Sequence, residues 1–299
     1  MCGIVGLFLK DESLEPQLGA LLESMLTEMA ERGPDSAGFA IYRDAVDDGQ
    51  VKITLYSPDN DISWAGLAED IESELGFSTA LEIYWNHAVL VVEGGESKLV
   101  RWIRREHPEL RITSVGTSIE IFKEKGPPSD VAKRFQLAEF SGTHALGHTR
   151  MATESAVTTE HSHPFSTGLD LCLVHNGSLS NHNSLRRELE RSGIVFETDN
   201  DSEVAAGFLT KKLDEGLGLG EALEQSLVEL DGFYTFAVGT KDGFAALRDR
   251  FACKPAILAE TDRWVAMASE YRAIADLPGA SSATIWEPEP ATVYTWSRN

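Results

Sequence analysis

Met1-Cys2-Gly3-Ile4-Val5-Gly6 opens the chain, and the rest is organised around it. Glycines and β-branched residues surround the cysteine, a composition that suits the start of a buried strand with little side-chain bulk. Removal of Met1 would leave Cys2 with a thiol and a free α-amine on one residue. That amine has an ordinary pKa of about 7.7–8.0, so it accepts a proton near neutral pH. A nucleophile that carries its own base needs no separate histidine. On its own the dipeptide reads more readily as a small buried cysteine in a first strand. Motifs further along reverse that preference.

The chain has 299 residues, room for one large or two ordinary domains, and 42% hydrophobic residues supply a full core. The net charge of −22, from 26 basic and 48 acidic residues, repels nucleic acid and anionic membranes, so neither is expected as a partner. It favours solubility or a basic partner. No run approaches the ~18 apolar residues of a membrane span. The first residues lack the basic-then-apolar pattern of a secretory signal. Three cysteines, Cys2, Cys172 and Cys253, make no disulfide framework and fit a reducing cytoplasm.

Working outward from the opening, residues 3–9 read as a strand. Pro16 begins a helix whose apolar stripe is Leu18, Leu21, Leu22, Met25, Leu26 and Met29, and Gly33-Pro34 stop it. The turn Arg32-Gly33-Pro34-Asp35-Ser36-Ala37-Gly38 leads into a strand through Phe39, Ile41 and Tyr42. Residues 51–126 read as an inserted small α/β unit with strands at 51–56, 81–85, 88–92, 112–115 and 119–122 and helices near 64–75 and 99–105. A short helix over 131–140 follows. Next come Gly147-His148-Thr149-Arg150-Met151-Ala152-Thr153 and His161-Ser162-His163-Pro164-Phe165. A buried strand over 169–174 ends in His175-Asn176-Gly177, where Asn-Gly predicts a turn. Helices are expected at 183–191, after Thr198-Asp199-Asn200-Asp201-Ser202-Glu203-Val204, and through Leu223, Leu227 and Leu230. The remainder is strand-rich. Strands gathered at both ends with helices between favour a layered α+β fold.

In order, Cys2-Gly3-Ile4, the Arg32–Gly38 run, Gly147–Thr153, His163-Pro164, His175-Asn176-Gly177 and Asp201-Ser202-Glu203-Val204 resemble the class II, N-terminal-nucleophile glutamine amidotransferases. Arg248-Asp249, Lys254-Pro255 and Ala268-Ser269-Glu270 extend the match, which covers residues 2–49 and about 140–275. Each motif is weak and the ordered set is strong. The resemblance implies a four-layer αββα N-terminal-nucleophile hydrolase sandwich over residues 2–299, with 51–126 inserted in it. It also implies glutamine as substrate, with Cys2 as nucleophile and the Asn176 amide and Gly177 N–H as oxyanion donors. Arg150 would clamp the substrate carboxylate, Asp201 would pair with its ammonium, and Thr153 and His163 would complete the pocket. The insertion is similar to that of amidotransferase subunits of the glutamate-synthase-like group, such as N-methylglutamate synthase. That implies flavin-containing synthase subunits as partners. No stretch of this chain resembles a synthase domain, a flavin site or an ATP site, so no cofactor is expected in it.

Each of these residues also has a plainer role. Arg150 would serve as a structural ion pair, Asp201 as a helix N-cap and Asn176-Gly177 as a turn. Arg32 reads as a brace for the first strand. His161, His163 and Cys172 match no paired-ligand zinc spacing, so no metal site is expected. Relatives often carry Trp at the position of Met151 and His-Gly at those of Glu154-Ser155, a departure in a loop that would close on substrate. A catalytically silent subunit that senses glutamine or glutamate is the competing function, and an acylase of other amides is a third.

Overall fold

The computed structural model describes residues 2–151 and 157–298. Its first strand, β1 (Gly3–Leu9), is buried at every position. Val5, Leu7 and Leu9 enter one core while Ile4 and Phe8 enter another. A strand apolar on both faces must lie inside a sandwich.

The first sheet contains β1, β2 (Ser36–Tyr42), β7 (Ile119–Lys125), β8 (His144–Arg150), β12 (Ile257–Glu260), β13 (Trp264–Ala268) and β14 (Thr284–Trp286), in the order β14-β12-β13-β1-β8-β2-β7. The second holds β9 (Cys172–Leu179), β10 (Gly232–Thr240), β11 (Gly243–Arg248) and β15 (Val293–Ser297), in the order β15-β11-β10-β9. Ile4, Leu146, Val174, Ala237 and Phe244 fill the space between them. On the outer side of the first sheet pack α1 (Leu18–Glu28), α4 (Pro128–Arg134) and α8 (Arg272–Ala275). On the outer side of the second pack α5 (His182–Arg191), α6 (Asp201–Asp214) and α7 (Leu219–Glu229). The result is the αββα sandwich that the order of motifs implied.

The stretch 51–126 divides in two. Strands β3 (Gln50–Tyr56), β4 (Thr79–Tyr84), β5 (His87–Glu93) and β6 (Arg111–Gly116) form a sheet of their own, in the order β4-β5-β3-β6. It shares a separate core with α2 (Trp64–Asp70) and α3 (Glu96–Glu106). The last strand, β7, instead closes the edge of the large sheet against β2, with Phe122 opposite Phe39. Ile119 and Ile121 join the core between the two sheets and Phe122 the core outside the first sheet, where its ring meets Phe39, Phe135 and Phe140, so the strand is buried through Glu124 although Glu120, Lys123 and Glu124 are charged.

One strand has no expectation in the sequence. β8 contains two histidines, a threonine, an arginine and a glycine, yet it lies between β1 and β2 and is buried throughout. The expected 131–140 helix is α4 and a separate 3₁₀ turn, Leu137–Glu139, because Gln136 between them takes a left-handed φ of 56°. Among the described residues no helix is long and apolar enough to cross a membrane.

Candidate active site

Cys2 immediately precedes β1 and is half-buried. Two side chains converge on its carbonyl oxygen: Arg32 Nε donates at 3.1 Å and Asn176 Nδ2 at 3.2 Å. Arg32 also pairs with Glu270 at 2.7 Å, and this hydrogen bond, helped by Arg272, holds the Glu270 carboxyl below its usual range. Arg32 thus braces the first strand, as its position suggested. Gly33 lets that turn lie flat on the end of β8, since a Cβ there would overlap the Thr149 and Arg150 backbone.

Gly3 pairs with Thr149 across the ladder, and the register extended by one residue sets Arg150 opposite Cys2. Alternation along β8 sends Ala145 toward α1 and Leu146 toward the second sheet, so positions 148 and 150 share the inter-sheet face. Arg150 is buried there at 7% exposure.

Asn176 and Gly177 do not form the expected turn. They lie within β9, paired with Thr235 and Tyr234 of β10. Gly177 keeps the strand going at φ +156°, a conformation open to glycine. Asn176 faces the inter-sheet space and so reaches Cys2, while its neighbour His175 faces α6.

Asp201 is the first residue of α6 and not its cap. The cap is Asn200, whose Oδ1 accepts from the Ser202 N–H at 2.8 Å. Asp201 Oδ2 accepts from the Leu179 N–H at 2.9 Å and ties the end of β9 to the start of α6. An acidic residue in a first turn is also favoured by the helix dipole.

His163 is buried behind β9. Its ring stacks on His148 with centroids 4.0 Å apart, and its Nδ1 accepts from the His175 N–H at 3.3 Å. Phe165 pairs with Leu173 along the same edge, so the His163 ring continues where a neighbouring strand would sit. Thr153 lies outside the described residues. His161 binds Asp199 at 2.9 Å, and Cys172 is buried near Tyr42 with its thiol pushed up to about 12 by burial, so His161, His163 and Cys172 occupy three neighbourhoods.

Residues 148–276 match the family model described as a glutamine amidotransferase domain. Over 297 residues the chain is 57% identical to the glutamine amidotransferase-like protein GlxB of Rhizobium meliloti (strain 1021), covering 99% of this chain and 98% of that protein. The chain belongs to the glutamine amidotransferase family. It is also 33% identical over 168 residues to the amidophosphoribosyltransferase of Methanocaldococcus jannaschii, across 55% of this chain and 36% of that one. Among solved structures it is similar to the glutamine phosphoribosylpyrophosphate amidotransferase from B. subtilis, with a TM-score of 0.62 at 20% identity, covering 99% of this chain and 47% of that chain. That likeness is one of fold, the N-terminal-nucleophile hydrolase sandwich.

In this member of the family the sequence left several supporting residues unread. His148 donates from Nε2 to the His175 carbonyl at 3.1 Å. His175 Nδ1 meets the Ser202 hydroxyl at 2.8 Å. Burial holds the three rings neutral: it pushes His148 down to about 3, His163 well below its usual value, and His175 in the same direction. The available signal was polar residues at positions where the strand pattern demands burial. Two clefts, of about 420 Å³ beside Arg104 and Thr210 and about 600 Å³ beside Leu213 and Trp296, include none of the residues gathered at Cys2. Converging side chains, and not cleft volume, mark the site.

Proposed function

We propose that this chain hydrolyses glutamine to glutamate and ammonia through a Cys2 thioester and passes the ammonia to a separate synthase of the glutamate-synthase-like group, of which N-methylglutamate synthase is a member. It acts as one amidotransferase domain over residues 2–299, with the small unit of residues 50–116 inserted in it. The observation that carries the hydrolytic part is the convergence of Arg32 and Asn176 on the Cys2 carbonyl at 3.1 and 3.2 Å.

With Met1 removed, the α-amine of Cys2 takes the thiol proton. The thiolate forms a bond to the carboxamide carbon, and the carbonyl electron pair moves to oxygen. Asn176 and the Gly177 N–H receive that oxyanion. A side-chain amide carries two N–H donors, so Asn176 can hold the Cys2 carbonyl with one and meet the oxyanion with the other. Collapse breaks the C–N bond, and the protonated amine returns its proton to the leaving ammonia. Water then attacks the thioester with the amine again as base, and glutamate leaves. Arg150 takes the substrate carboxylate in a bidentate grip and Asp201 its ammonium. Thr153 completes the pocket, and His163 supports it from behind β9.

A docked synthase is supported by exposed apolar side chains at this end: Met151 follows Arg150, Phe233 pairs with Ser178 beside Gly177, and Tyr271 follows Glu270. Ammonia handed over under a docked chain is not lost to solvent.

Mass of the mature chain and ammonia release from glutamine test the proposal together. The mature chain should lack Met1, Cys2→Ala should reduce release to background, and Asn176→Ala should reduce it about 10²–10³-fold. Unchanged release from Cys2→Ala would refute the thioester. A wild-type chain that binds glutamine and releases nothing would establish the sensing role instead.

A further inference from the structure

Ser202 lies inside the molecule at 2% exposure, in the first turn of α6, and its hydroxyl has three partners. These are His175 Nδ1 at 2.8 Å, His163 Nε2 at 3.3 Å and Asp201 Oδ1 at 3.2 Å. A serine hydroxyl has one proton and two lone pairs, so the directions of these bonds are constrained.

One backbone N–H and one unpartnered ring nitrogen fix them. The His175 N–H can only donate, and it points at His163 Nδ1. That nitrogen carries the lone pair, and the proton of the neutral ring sits on Nε2, facing Ser202. His175 has its Nε2 buried with no hydrogen-bond partner among the described residues. A buried N–H without an acceptor is rarer and costlier than a buried lone pair, so the His175 proton sits on Nδ1, again facing Ser202. The two rings fill both lone pairs of the hydroxyl. Its single proton is left for Asp201 Oδ1. With Leu179 N–H on Oδ2 at 2.9 Å, both oxygens of the carboxylate are aimed while the side chain stays 22% exposed. His148 completes the set by stacking on His163 and by donating to the carbonyl of the His175–Asn176 peptide.

We propose that Ser202 is a positioning residue: its hydroxyl, oriented by His163 and His175, holds the Asp201 carboxylate in the attitude that receives the α-ammonium of the substrate. This rests on the assignment of Asp201 made under the proposed function. Outer partners of this kind govern the geometry of the groups that touch substrate.

The test compares glutamine with 4-carbamoylbutanoate, which is glutamine without its α-amine. Ser202→Ala should raise KM for glutamine about tenfold, the loss of one hydrogen bond to a charged group, while kcat changes less than about threefold. Its kcat/KM for 4-carbamoylbutanoate should match that of the wild type, because that substrate has no ammonium to misplace. Ser202→Thr, which keeps a hydroxyl, should recover most of the glutamine KM. Added to Asp201→Asn, Ser202→Ala should cost nothing more. Equal losses on both substrates would overturn the proposal by showing a structural role. So would a raised glutamine KM in Asp201→Asn with none in Ser202→Ala. An unchanged glutamine KM in Asp201→Asn would overturn the assignment of Asp201 itself, and the proposal with it.

Discussion

At Gly177 the backbone takes φ +156°, and a Cβ would overlap the Phe233 carbonyl oxygen and stand 2.7 Å from His175 Nε2. Neither obstacle is a flexible side-chain end. Gly177→Ala must therefore push β10 away from β9 or rotate a peptide that the proposed mechanism uses as an oxyanion donor. We expect a loss of about 2–4 kcal/mol in urea denaturation, together with ammonia release at least tenfold below wild type. A variant as stable and as active as wild type would show that the strand tolerates a side chain there. Asn176, one residue earlier, reads as a turn signal only when the chain across from it is unknown. Its side chain enters the inter-sheet space, where Cys2 is within reach, because β9 continues past it.

Among elements, the β6–β7 connection shows how the small sheet is tied to the sandwich. Asp170, itself at φ 51°, sits under this turn and accepts from the backbone N–H groups of Thr117, Ser118 and Ile119 and from the Thr117 and Ser118 hydroxyls. Successive N–H groups of a turn form a concave anion site, and here the chain fills it with its own carboxylate. Val115 and Leu169 bridge beside it. In Asp170→Asn an NH₂ group must face those donors, and thermal denaturation should show a loss of about 2–3 kcal/mol. A similar effect from Asp170→Ala would place the energy in the lost carboxylate. No loss in either variant would mean that the turn holds without it.

Across the whole molecule, buried neutral histidines set the response to acid. Burial pushes His87, His144 and His148 down to about 3, each from an ordinary value of 6.5. His144 is stacked on Tyr42 with centroids 4.0 Å apart and donates to the Thr240 carbonyl, which leaves it no room for a hydration shell. The folded values lie below the unfolded one, so between about 6.5 and 3 the unfolded chain binds protons that the folded chain refuses. Stability is then complete above 6.5 and falls as the pH drops through that window, by up to about 1.4 kcal/mol per ring for each pH unit. The urea midpoint measured from pH 7.5 to 5 should decline steeply below 6.5, with proton uptake on unfolding. A flat midpoint would contradict the neutral burial of these rings.

Local signals in the sequence determined the apolar strand after Cys2, the amphipathic helix after Pro16, the small α/β unit and the ordered motifs of the site. A strand buried on both faces needs an unbroken apolar run, a packed helix needs a stripe, and amide hydrolysis needs particular residue types, so each of these is written locally. Tertiary structure alone decided that polar β8 is an inner strand, that Asn176-Gly177 continues β9, that β7 belongs to the large sheet, and that Asp201 follows the cap and does not form it. It alone brought His148, His163, His175 and Ser202 together. The polarity of these residues is satisfied by partners across the gap between layers, many residues away in the chain, and a sequence pattern records the groups but not which of them meet.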